Sequence, residues 1–160
     1  MKELKIETTL TVFEEFGELP KEIADLMTIA IEARKNAYAP YSKFHVGAAI
    51  SLENGEVITG NNQENASYPS GLCAERTAIY YAGSKYPNVN IQAMAVSAGL
   101  ENGSTSAPIP PCGACRQAIS EYEVKQNQPI EIYFMGTSGK IVRSHSLENL
   151  LPLIFDKSFL

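Results

Sequence analysis

The sequence has no cluster of basic residues, no long apolar run, no internal repeat and no low-complexity tract. Each absence removes a class of function. Thirteen Lys and Arg stand against 18 Asp and Glu, for a net charge of −5 with no basic block. A nucleic-acid polymer is therefore not the expected partner, since phosphate binding needs gathered Lys and Arg. A neutral nucleoside is not excluded by that charge. No run approaches the ~18 apolar residues of a membrane span. Met1-Lys2-Glu3-Leu4-Lys5 has no apolar signal core, so a cytoplasmic protein is expected. Metal-binding residues are also few. Two histidines, His45 and His145, and three cysteines are all that 160 residues contain. An odd cysteine count with Cys-x-x-Cys spacing fits reduced thiols better than a disulfide frame.

What is present makes an ordinary globular composition, 44% apolar and 19% charged, enough for one domain with its own core. Leu4, Ile6, Thr8, Leu10 and Val12 alternate with charged or hydroxyl neighbours, which predicts a half-buried strand or an arm laid on another surface. The segment 13–18 reads as a linker. Residues 1–19 are thus an N-terminal extension, and 20–160 the domain proper. Pro20 opens a helix with one apolar stripe, Ile23, Met27, Ala30 and Ile31, which ends before Pro40. Val46 to Leu52 reads as a central strand, and Asn54-Gly55 turns it into a partner at 56–59. The small residues Gly47, Ala48 and Ala49 would let another element approach that sheet closely.

A second helix is predicted from about Cys73 to Ser84, and a strand over Ile91–Ala98. The loop 99–111, rich in Gly, Ser and Pro and mobile by composition, leads to a third helix over 113–125. Strands at 130–135 and 140–144 and a short helix capped by Ser146 complete the chain. Helices separated by strands predict a three-layer α/β/α fold around a five-stranded mixed sheet.

The chemistry is concentrated in Cys73-Ala74-Glu75-Arg76 and Pro111-Cys112-Gly113-Ala114-Cys115-Arg116, which hold every cysteine of the chain. Cys-x-x-Cys delivers two thiolates to one ion, and Cys73 would add a third. Three protein ligands on zinc leave one position open for water, and Glu75 is a carboxylate placed to move that water's protons. Both stretches stand at predicted helix starts, whose partial positive charge favours thiolate over thiol. Three thiolates on Zn²⁺ leave about one net negative charge. Arg76, one turn from Cys73, is the expected hydrogen-bond donor to the sulfurs, with Arg116 as its rival. The spacing also admits a closed structural site completed by His45 or His145, or a redox pair at Cys112 and Cys115. Glu75 alone would be an ordinary carboxylate on a helix's first turn.

These motifs resemble those of the small, homotetrameric cytidine deaminases of the three-cysteine zinc type. Tyr38-Ala39-Pro40-Tyr41-Ser42-Lys43-Phe44-His45-Val46-Gly47 and Asn62-Gln63-Glu64-Asn65-Ala66-Ser67-Tyr68-Pro69 strengthen the likeness, which runs from about Ala37 to Phe155. The resemblance implies one zinc ion on Cys73, Cys112 and Cys115. It implies a zinc hydroxide attacking C4 of cytidine or deoxycytidine, with Glu75 carrying protons to N3 and to the departing amine. It assigns Asn62 and Glu64 to the ribose hydroxyl, and the main chain near Ala66 and Ala74 to the base. Phe44 and Phe155 would pack against the nucleoside. Ala66, Tyr68 and Phe155 would reach a site from neighbouring subunits of a homotetramer. The product would be uridine or deoxyuridine plus ammonia, in pyrimidine salvage.

A deaminase of another cytosine nucleoside such as blasticidin S is the alternative, and a non-catalytic zinc module a more distant one. The Asn62 and Glu64 pair favours a plain ribose. The chain departs from the family in its first twenty residues, which would add to a sheet edge or wrap a neighbouring subunit. It departs also in the loop 99–111, in Gln63 where an aliphatic residue is common, and in His45 where proline is frequent.

Overall fold

Neighbouring residues of the strand Phe44–Leu52 (β2) point to opposite sides of one sheet, and both sides are buried. In the computed structural model, which describes residues 1–160, Ala48, Ile50 and Leu52 belong to one buried cluster and Ala49 to another. This double burial is why the strand reads as a continuous apolar run with no alternation. On one side lies the helix Lys21–Arg34 (α1), through Ile23, Leu26, Met27 and Ala30. On the other lie Ala74–Lys85 (α2) and Gly113–Gln126 (α3), through Ala78, Ile79, Ala82 and Ile119. The expected three layers are present. Each fully buried Ile or Leu contributes about 1.5–3 kcal/mol.

The sheet has six strands, not five. Their order is β1-β6-β5-β4-β2-β3, with β1 Thr11–Phe13, β3 Val57–Asn61, β4 Ile91–Leu100, β5 Glu131–Met135 and β6 Ile141–Ser144. The added strand comes from the extension. Only Thr11, Val12 and Phe13 pair, antiparallel to Arg143, Val142 and Ile141, so the strand predicted from residue 4 is confined to its last part. The linker expected at 13–18 contains a 3₁₀ turn, Phe16–Glu18, and Phe13, Phe16 and Leu19 pack into the α1 cluster.

Other differences are small and local. Pro20 is the N-cap of α1 instead of its first residue, and Cys73 is the N-cap of α2. The last predicted helix is a 3₁₀ turn, Leu147–Asn149, whose Ser146 Oγ accepts from the Glu148 N–H at 3.2 Å. Leu151 precedes Pro152, and the residue before proline is driven out of the helical region, so that turn cannot lengthen.

Two glycines set how closely the helices approach. A Cβ on Gly47 would lie 2.1 Å from the Ala30 carbonyl oxygen and 2.4 Å from the Arg34 nitrogen, both backbone atoms of α1. On the opposite side, a Cβ on Gly60 would lie 2.5 Å from the Ala74 oxygen and 2.6 Å from the Ala78 nitrogen. Gly60 therefore lets the first turn of α2 sit directly on β3.

Topology then decides where the site falls. β4 and β5 are parallel, so α3 must cross over between them. β3 and β4 both run antiparallel to β2, so they run parallel to each other, and α2 crosses over between these two. Both helices leave the carboxyl ends of strands on the same side, and both begin at the same end of the sheet. That end is where open α/β sheets place ligands. Cys73 and Cys112, far apart in sequence, are neighbours for this reason.

Candidate functional site

Cys73 caps α2, Cys112 caps α3, and Cys115 lies in the first turn of α3. Their sulfurs all lie within 4.8 Å of one another, with Cys73 and Cys112 3.8 Å apart. Neither histidine joins the group: His145 instead lies 3.4 Å from Glu131. A closed site completed by histidine is therefore not what the chain builds.

The sulfurs differ in protonation because they differ in setting. A hydrogen bond from Cys115 and another from Arg76 hold the Cys73 thiol down at about 5. Cys115, fully buried, keeps the proton that the two share and is pushed up. Arg76 Nη2 stands 3.8 Å from Cys73 Sγ, and its Nε is buried with no hydrogen-bond acceptor. Facing thiolates, that guanidinium is held above its usual range in spite of burial. Arg116 has other work: Nε donates to the Pro111 carbonyl and Nη1 to the Leu150 carbonyl, each at 2.8 Å. Three gathered sulfurs suit a thiophilic divalent cation, whose binding releases thiol protons. The donor set fits zinc.

Glu75, in the first turn of α2, is only 4% exposed. Burial, and then the neighbouring Cys73 charge, push its carboxyl above the ordinary range. It lines a cavity of about 410 Å³ together with Cys73, Cys112, Phe44, Asn62 and Glu64. A second cavity of about 500 Å³ opens beside it and shares Ser42, Asn62, Glu64 and Cys73; Tyr68 and Arg76 lie on its wall.

Asn62 and Glu64 follow β3 and are occupied by the approach to β2. Asn62 Oδ1 accepts from the Val46 N–H at 2.8 Å, and Nδ2 donates to the Phe44 carbonyl at 2.9 Å. Glu64 Oε2 accepts from the Tyr41 and Ser42 N–H groups at 2.9 and 3.2 Å, and Oε1 accepts from the Ser42 hydroxyl. The Ser42 hydroxyl bond, aided by those two N–H groups, holds the Glu64 carboxyl below its usual range. The pair thus fixes the backbone that carries Phe44.

The remaining expected residues do not line the cavity that holds Glu75. Ala74 is fully buried against the sheet, and Ala66 and Tyr68 are exposed in the loop before α2. Phe155 is 60% exposed and stacks on Phe159 with ring centres 5.8 Å apart.

Sequence reasoning missed Ser42, Val46, Val96 and Ala98 as site residues. The last three are lining residues because β2 and β4 pair Val46 with Ala98 and Ala48 with Val96. Only the register shows this. Ile109 and Pro110, at the end of the loop 99–111, form another wall. The middle of that loop is tied down, with Thr105 exchanging hydrogen bonds with Thr137 at 2.7 and 2.8 Å.

Comparison with known proteins agrees with this geometry. Residues 20–128 match the family model described as the cytidine and deoxycytidylate deaminase zinc-binding region. The chain is 50% identical over 130 residues to a cytidine deaminase of Halalkalibacterium halodurans, covering 81% of this chain and 91% of that one. It is 39% identical over 136 residues to a cytidine deaminase of Sporosarcina psychrophila, covering 85% and 93%. The crystal structure of cytidine deaminase from Burkholderia pseudomallei superposes with a TM-score of 0.71 at 37% identity, over 86% of this chain and all of that one. No helix is long and apolar enough to cross a membrane. On the family match and these identities, the chain belongs to the zinc-dependent cytidine and deoxycytidylate deaminase family.

Proposed function

We propose that the chain deaminates cytidine and deoxycytidine hydrolytically, giving uridine or deoxyuridine and ammonia. The observation that carries this reading is a buried carboxyl, Glu75, opening into a nucleoside-sized cavity beside Cys73 and Cys112. Cys73, Cys112 and Cys115 would hold zinc, which would supply an acidified water, since a catalytic zinc site lowers the pKa of bound water to about 7.

The chain's own residues do the rest. Glu75, raised by burial, is suited to accept a proton and return it near neutral pH. It takes a proton from the attacking water and delivers it to N3 as oxygen adds at C4, then moves the proton of the new C4 hydroxyl to the amine, so that the C4 carbonyl forms as ammonia leaves. Arg76 offsets the charge of the thiolates through Cys73. Val46, Val96, Ala98 and Ile109 make an apolar wall that limits water around the base. Phe44 packs against the nucleoside. Glu64 retains a free lone pair and Asn62 a free N–H, which together match a ribose hydroxyl that donates and accepts.

Ala66, Tyr68 and Phe155 serve a neighbouring copy's site, which explains large aromatics left exposed: Tyr68 at 78% and Phe155 at 60%. A homotetramer is the assembly this reading requires. Ala74 offers its main chain to the base. Reduced thiols suit the cytoplasm, where the reaction would serve pyrimidine salvage.

The test is the loss of cytidine absorbance, with ammonia measured in the same sample and blasticidin S as the competing substrate. Cytidine is expected to turn over in preference. Turnover of blasticidin S alone would transfer the proposal to that substrate, and turnover of neither would remove it. Sedimentation tests the tetramer.

A further inference from the structure

The segment before β1 is not used by the site and lies outside the residues that match the family model, which begin at 20. Residues 1–10 belong to no helix or strand, and residues 1–9 make no backbone hydrogen bond. Leu4, Ile6, Leu10 and Val12 are all exposed. Lys5 and Glu7 form an ion pair with each other, so the odd-numbered residues there share a side, as in a strand. The segment continues into β1, which is the outermost strand of the sheet, paired only to β6. An alternating segment with unpaired backbone at a sheet edge is a template for another strand.

The charges say which strand. Antiparallel pairing of this segment with itself about Ile6 sets Lys5 opposite Glu7 of the second copy, and Glu7 opposite Lys5. On the other side it sets Ile6 against Ile6, with Leu4 opposite Thr8. Both unlike-charge pairs recur under the two-fold, as an isologous contact requires. Each such cross-strand pair is worth roughly 0.2–1 kcal/mol.

We infer that residues 4–8 of two copies of this chain pair antiparallel about Ile6, forming a two-stranded ribbon that links the two sheets. A free two-stranded ribbon is marginal in water. Where another interface already joins the copies, pairing becomes intramolecular, and the short segment suffices. The inference takes from the proposed function only that copies are already joined; residues 4–8 do not line the cavity, so failure of the pairing would leave the deaminase reading intact.

The experiment is site-specific cross-linking of the full-length, zinc-loaded protein under mild oxidation. Ile6→Cys is expected to give a covalent dimer, because a residue on the two-fold faces its own copy at Cβ distances near those of a disulfide. Leu4→Cys and Thr8→Cys alone are expected to cross-link far less, while a mixture of the two gives the heterodimer. The wild type, with its three zinc-site cysteines, sets the background. Lys5→Glu in the Ile6→Cys protein is expected to lower the yield roughly two- to tenfold, from two lost pairs. Adding Glu7→Lys should restore it. Equal yields from Cys at 4, 6 and 8, or no Ile6→Cys dimer above background, would overturn the pairing. So would a Lys5→Glu loss that Glu7→Lys fails to rescue. Deaminase activity should be unchanged throughout.

Discussion

At one end of the sheet, Cys73, Cys112, Cys115 and Glu75 gather with a single cation, Arg76, which stands 3.8 Å from Cys73. Across the β5–β6 pair, Glu131 gathers Arg143, the Tyr133 hydroxyl at 2.6 Å and His145 at 3.4 Å. Both clusters are partly buried, and both contain ionisable groups with shifted titration. In the second, every charge is answered by a neighbour within the chain. Burial works against the Glu131 carboxylate, yet the bonds from Tyr133 and Arg143 hold it below its ordinary range. In the first, three sulfurs and a buried carboxyl outnumber one guanidinium. The deficit is a divalent cation. The cluster whose charges balance is read as structural, although Arg143 Nε is left without an acceptor, and the cluster whose charges do not balance is where the proposed chemistry is placed.

Removing a ligand should break that contrast most severely. Cys115→Ser is expected to lose zinc and bring cytidine turnover to background, read by metal analysis and absorbance; a zinc-free but active variant would refute the donor set. Glu75→Gln separates the acid from the metal. It should keep one zinc per chain while turnover falls roughly 10²–10⁴-fold, the usual worth of a general acid–base group. Near-normal turnover in that variant would end its assigned role. Arg76→Gln probes the one cation inside the deficit and should weaken zinc binding about 10- to 100-fold, as losses of ligand-supporting groups do. Chelator competition measures it, and unchanged affinity would show that Arg76 acts elsewhere.

The smallest effect belongs to the charge-balanced cluster around Glu131. Glu131→Gln should cost about 1–2 kcal/mol in denaturant unfolding, with zinc content and turnover unchanged. Because the folded carboxyl titrates below its ordinary value of 4.5, its stabilisation is complete above that pH and is lost as the pH falls through the lowered value. The stability gap between wild type and variant should close in acid. A gap constant down to acid pH would mean that the charge does not contribute.

The two clusters were unequally legible in the sequence. Cys73, Glu75, Cys112 and Cys115 announce themselves by short spacing, and the same spacing places them at helix starts. Glu131 and Arg143 carry no such mark, because only the β5–β6 register brings them together. Register also hides Val96 and Ala98, which an apolar run cannot distinguish from core. The sixth strand is legible only as a strand or arm within residues 4–12; its place in the sheet is not, because β1 has three paired residues and its partner strand lies near the other end of the sequence. Asn62 and Glu64 were legible as a polar pair, but their hydrogen bonds to Ser42, Phe44 and Val46 follow from the chain's path and not from its composition.

X-ray absorption at the zinc edge on the purified protein tests the central claim most directly. Three sulfurs at about 2.3 Å and one lighter ligand that exchanges with solvent are predicted. A fourth protein ligand, from His45, His145 or a second chain, would contradict an open site.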